Sequence, residues 1–97
     1  MNKEEFLIYC LLYAVDAAGV KKQNLVQMSL KTDAVVFVKI YNVIQQQDET
    51  ARKSLLDSML KSFNKNEIIE DMKNTFLLDM ESSLQENIID VINQNQS

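Results

Sequence analysis

The sequence predicts an all-α protein, a compact bundle of five to six short helices. Three observations lead there. Proline is absent and glycine occurs once, at Gly19, so the tight turns that sandwiches and barrels need in number have few residues to form them. Apolar residues recur at helical spacing in nearly every long segment. The 97 residues are 46% hydrophobic, which suits one globular domain with one core rather than a disordered chain.

Element by element, a first helix is expected over residues 3–18. Phe6, Cys10, Tyr13 and Ala17 form one apolar stripe and Leu7, Leu11, Ala14 and Ala18 the next. A helix apolar almost all round is buried among neighbours, so this is the expected central helix. Gly19 offers a left-handed C-terminal cap. A short helix is expected over residues 22–30, with Leu25, Val26 and Met28 inward. Thr32 or Asp33 would cap a third over residues 34–46. Its start, Ala-Val-Val-Phe-Val, is β-branched and strand-like. The helical spacing of Phe37, Ile40, Tyr41 and Ile44 decides for helix.

The polar run at residues 45–50 reads as a loop. A helix over residues 51–63 follows, with Leu55, Leu56, Met59, Leu60 and Phe63 inward. Asn64 with Glu67 marks the next start, and that helix carries Ile68, Ile69, Met72 and Phe76 to an end near Asp79. Ser83 and Glu86 then form an S-x-x-E capping box ahead of Leu84, Ile88, Ile89 and Ile92. The expected domain is residues 1–92, with residues 93–97 a disordered polar tail. Shifting the early chain by 63 positions lays Asp16 on Asp79, Leu25 on Ile88 and Val26 on Ile89. That sparse echo is compatible with two related helical hairpins.

Function is bounded mainly by what the composition lacks. Histidine is absent, which removes the commonest general base and the Ser–His and Cys–His nucleophile pairs. One glycine cannot build a phosphate-binding loop. Cys10 lies in an apolar run and reads as a small core residue, compatible with a reducing compartment. No enzyme is expected. The net charge is −4 and the pI about 4.7, with Arg52 the single arginine, so nucleic acid is not an expected partner. The first five residues carry two acids against one lysine, the wrong sign for a signal peptide. The apolar run after them is too short to span a bilayer. A cytoplasmic protein without membrane insertion is expected, acting on a protein partner.

Asp79, Glu81 and Glu86 cluster around the last interhelical link. Hard cations such as calcium and magnesium take carboxylate oxygens, so Asp79 and Glu86 are the candidate ligands of a weak divalent-cation site. Leu84 stands where a calcium loop of the EF-hand type needs glycine.

The chain resembles the TerB-like helical family of bacterial tellurite resistance. The resemblance rests on the opening Glu4-Glu5-Phe6-Leu7-Ile8-Tyr9-Cys10-Leu11-Leu12-Tyr13-Ala14 and on the helix–acid–helix segment at residues 76–92. It implies a bundle of two helical hairpins, with acidic motifs in which Asp-Gly precedes Glu by about seven positions, and a link to metal and stress resistance. Asp79 and Glu86 match the second motif, with Met80 in place of its glycine. The first motif departs: Ala18 precedes Gly19 where Asp-Gly belongs, and Asp16 lies two residues early. The resemblance implies a non-enzymatic accessory or scaffold protein. The alternative is a helical protein-interaction or immunity-type module without metal.

Overall fold

A computed structural model of the chain describes residues 1–95, with the side chains of Lys22, Gln23, Asn24 and Val26 outside that description. Six helices follow one another: α1 (Lys3–Ala18), α2 (Lys22–Ser29), α3 (Ala34–Gln45), α4 (Glu49–Ser62), α5 (Lys65–Thr75) and α6 (Ser82–Gln94). No strand occurs among the described residues, and the β-branched start of α3 is helical.

The ends of the helices follow local hydrogen-bond chemistry. The first N–H groups of a helix lack intrahelical partners, and a side-chain oxygen at the cap supplies one. Asn2 Oδ1 accepts from the Glu5 amide at 2.8 Å and Glu5 Oε1 accepts from the Asn2 amide at 3.0 Å, a complete capping box. Asp33, Asp48 and Asn64 cap α3, α4 and α5 through the amides of Val35, Ala51 and Glu67. Gly19 closes α1 at φ 69°, the left-handed geometry foreseen for it. Glu5 has a second bond: the Lys39 ammonium, 2.7 Å away, and the Asn2 amide hold its carboxyl below the usual carboxylate range.

Four departures from expectation go beyond a single residue at a helix end. α4 begins at Glu49 rather than residue 51, because Asp48 caps it. α5 ends at Thr75, short of Asp79. There the Phe76 and Leu77 amides both donate to the Met72 carbonyl, at 2.9 and 3.2 Å, turning the chain so that both side chains enter the core. The Ser83–Glu86 capping box does not form. Glu81 occupies the N-cap position of α6 and makes no side-chain cap bond, while the Ser83 hydroxyl donates to Glu81 Oε1 at 2.8 Å. Finally, α6 continues through Asn93 and Gln94, and Asn95 is buried. Its Oδ1 accepts from Lys53 at 2.9 Å and its Nδ2 donates to the Val91 carbonyl. Of the expected tail, Gln96 and Ser97 lie outside the described residues.

The core is organised around α1, which packs against α3, α4, α5 and α6, most extensively α3 and α6. Phe6, Ile8, Tyr9, Cys10, Leu11, Leu12, Ala14 and Val15 are all buried, which is the all-round burial its composition predicts. Ala17, expected on an inner stripe, is exposed. Met28 joins the core from α2 and Leu25 lies at its edge; the expectation for Val26 falls outside the described side chains. Phe6 stacks on Phe63 with ring centroids 5.4 Å apart. Lys3 bridges α1 to α5 through Glu67 and Asp71. No helix among the described residues is long and apolar enough to cross a membrane.

Candidate functional site

The two acids singled out from the sequence stand in different settings. Asp79 lies in the α5–α6 link with its side chain 85% exposed, and its carboxylate pairs with the Lys31 ammonium at 2.9 Å. Glu86 lies on the exposed face of α6. Among the described residues no three His, Cys, Asp or Glu side chains group in a way that could hold a metal. Asp79 does border a cleft of about 390 Å³ between α2 and the α5–α6 link, lined also by Met28, Lys31, Phe76, Glu81 and Leu84.

The groups with chemical potential are committed to the fold. Cys10 is fully buried, and loss of hydration pushes its thiol well above the ordinary range, so the thiolate that a nucleophile needs does not form at neutral pH. Burial likewise raises Tyr9 to about 12. Its hydroxyl donates to Gln47 Oε1 at 2.6 Å, with the Arg52 carbonyl 3.3 Å away as a second acceptor. Arg52 donates from Nε to the Ile44 carbonyl at 2.8 Å, placing its cation at the C-terminal end of α3, where the helix carbonyls favour positive charge. This network ties α1, α3 and α4 together around the α3–α4 link. It is a structural device.

The surface feature that stands apart is the outer face of α3 and the adjoining end of α2. Leu30 is 81% exposed, Val35 78% and Val38 56%, and Tyr41 is also exposed. Solvent-facing helices usually carry charge on their outer face. α4 has five charged residues in 14 and α5 has five in 11, whereas α3 has Lys39 alone in 12. Its exposed positions Ala34, Val35, Val38, Tyr41, Asn42 and Gln45 are uncharged, and Lys39 is the one exposed charge among them. Beside them lies a groove of about 320 Å³ between α2 and α3, lined by Leu25, Ser29, Ala34, Phe37, Val38 and Tyr41. The periodicity of α3 places Tyr41 inward with Ile40 and Ile44, but it lies on the rim of this groove. Contiguous exposed apolar surface of this kind marks interaction sites, whereas isolated residues such as Leu78, also exposed, are ordinary.

The fold and this surface define a six-helix bundle with an uncovered apolar helix face. Compared with known proteins, the chain matches no family model, no curated protein and no solved structure.

Proposed function

We propose that this protein is a non-enzymatic docking module of the cytoplasm, which binds a protein partner through the outer face of α3 and the end of α2. The observation that carries the reading is the apolar, nearly charge-free exposed surface of α3. A helix that only closed a bundle would gain solubility from charges there, and Val35, Val38 and Leu30 contribute little to the core. The absence of histidine and the engagement of Tyr9, Cys10 and Arg52 inside the fold support binding rather than catalysis.

Site-specific photo-crosslinking in the cells that make the protein tests this. A photoreactive residue at position 38 or 35 is expected to give one discrete protein adduct. The same residue at Lys61 or Ser58, on exposed parts of α4, is expected to give none. Equal, diffuse labelling from both faces, or no adduct at α3, would refute the docking face.

The resemblance to TerB-like proteins supports a second reading of the same binding role, as an accessory or scaffold protein of bacterial metal and stress resistance. What favours it is the Asp79 carboxylate beside the cleft at the α5–α6 link. Thermal melts separate the two, because an ion that binds the native state raises its stability by mass action. The docking reading expects millimolar calcium, magnesium or manganese to leave the melting temperature where it stands in chelator at matched ionic strength. A rise that disappears in both Asp79→Asn and Glu86→Gln would establish the metal-linked reading instead. Glu86→Gln is a clean probe, since Glu86 is exposed and takes no part in capping α6.

A further inference from the structure

We propose that the fold carries a site for a small apolar monocarboxylate, whose acid group is held by the Arg52 guanidinium and whose tail enters the cleft between α1 and α3. The site is separate from the docking face and does not depend on it.

Arg52 is the single arginine of the chain and lies near the start of α4. Its side chain is only 20% exposed. The Nε bond to the Ile44 carbonyl, at 2.8 Å, orients the guanidinium and leaves Nη1 and Nη2 as an open fork. Among the described residues, that carbonyl is the only hydrogen-bond acceptor the side chain meets. Asp16 Oδ2 stands 3.7 Å from Nη1, an ion pair too long for a hydrogen bond, and the Asp16 side chain is 80% exposed. A guanidinium carries five N–H donors and no acceptor. One held this far from water, with its terminal nitrogens open, matches a carboxylate that takes two of those donors together.

The guanidinium stands in the wall between two clefts, since Arg52, Asp16 and Ile44 border both. One cleft, of about 300 Å³, is polar and adds Glu49 and Lys53. The other, of about 220 Å³, is walled by Leu12, Val15, Val20, Leu25 and Tyr41. A carboxylate on the fork therefore has an apolar slot beside it, the combination that orients a small ligand in a mainly apolar site. Charge limits the ligand to one negative charge. Asp16 and Glu49 already face the polar cleft, and Lys53 is shared with Asp57 and Asn95. The C-terminal ends of α1 and α3 border the apolar cleft through Gly19 and Gln45, and helix C-termini disfavour further negative charge. A phosphate dianion is thus a poor fit.

Isothermal titration calorimetry of the full chain tests the site with butanoate, pentanoate and hexanoate. Each is run beside the alcohol and the alkyl phosphate of the same length, at matched ionic strength. Hexanoate is expected to bind at least about tenfold more tightly than hexanol, and each added CH₂ should tighten binding by up to about fourfold. Asp16→Asn removes the competing carboxylate from an exposed position. It should tighten hexanoate roughly twofold to fivefold and leave hexanol unchanged. Arg52→Lys keeps the charge and loses the fork, so hexanoate should weaken by about tenfold or more. NMR amide shifts on adding hexanoate should centre on Asp16, Val20 and Ile44. The site is overturned if no carboxylate binds at tens of millimolar, if acid and alcohol bind alike, or if hexyl phosphate binds more tightly than hexanoate. Shifts centred on Ala34 and Val38 overturn it too, because they place the ligand in the docking groove. If Arg52→Lys does not fold, Asp16→Asn decides: hexanoate binding that it leaves unchanged or weakens gives Arg52 a structural role alone.

Discussion

Leu11→Ala is expected to destabilise the protein by roughly 2–5 kcal/mol, the range for emptying a well-packed aliphatic site. Leu11 is fully buried on α1, and α1 is the helix on which α3, α4, α5 and α6 all pack. The site cannot collapse onto the cavity by moving one neighbour, because shifting α1 disturbs contacts on every side. Domains of this size are stable by only about 5–15 kcal/mol, so the loss takes a large share of the total. Urea unfolding measures it directly, with the slope of the transition checking that the unfolded state is unchanged. Val38→Ala serves as the control. Its side chain lies on the uncovered face of α3, and truncation there should stay within about 0.5 kcal/mol. A loss below about 1 kcal/mol at Leu11 would mean that α1 is not the centre of the bundle.

Much of this architecture is written locally. Phe6 to Val15 is apolar on every side, and only a helix enclosed by others satisfies that pattern. Gly19 marks the end of α1, and Asp33 and Asn64 mark the starts of α3 and α5, because their chemistry acts within three residues of where it stands. The end of α5 is not legible in the same way. Phe76 continues the helical spacing of Ile69 and Met72, and no glycine or proline announces the turn at Leu77; what ends the helix is a pair of bonds to one carbonyl and the burial of two side chains, which depend on the rest of the bundle. The capping box at Ser83 fails for a related reason. A short motif states what a serine can do, and in this fold Glu81 takes its hydroxyl.

The candidate sites divide along the same line. Asp79 and Glu86 are drawn together by spacing in the sequence, while the fold gives Asp79 to Lys31 and leaves Glu86 on the surface of α6. The face of α3 carried a signal of its own, a twelve-residue helix with one charge. Sequence periodicity cannot say which apolar residues stay uncovered, so Val35 and Val38 look like core until the neighbouring helices are placed.

Alkali is expected to unfold this protein over a defined window, because two buried acids of low acidity lie next to each other on α1. Tyr9 is raised to about 12 by burial, against about 10 in the unfolded chain. A group with a raised folded pKa favours the native state while it holds its proton. The contribution of Tyr9 is thus complete below about pH 10, falls as pH rises, and is gone above about 12. Two pKa units correspond to roughly 2–3 kcal/mol, a substantial part of the stability of a small domain. Cys10 acts in the same direction: its thiol is raised by burial, so its contribution begins to fall near pH 8.5–9, the range of an unfolded cysteine. Urea midpoints taken across pH 8 to 12 should therefore decline in two overlapping stages. Cys10→Ala should flatten the earlier one and Tyr9→Phe the later one. Tyr9→Phe should also cost about 1 kcal/mol at neutral pH through the lost hydrogen bond to Gln47, which gives a reference free of titration. If the midpoint holds level to pH 11 in the unmutated protein, or if Tyr9→Phe leaves the later decline unchanged, the phenol is not sealed in the core and the packing of α1 against the α3–α4 link is not as described.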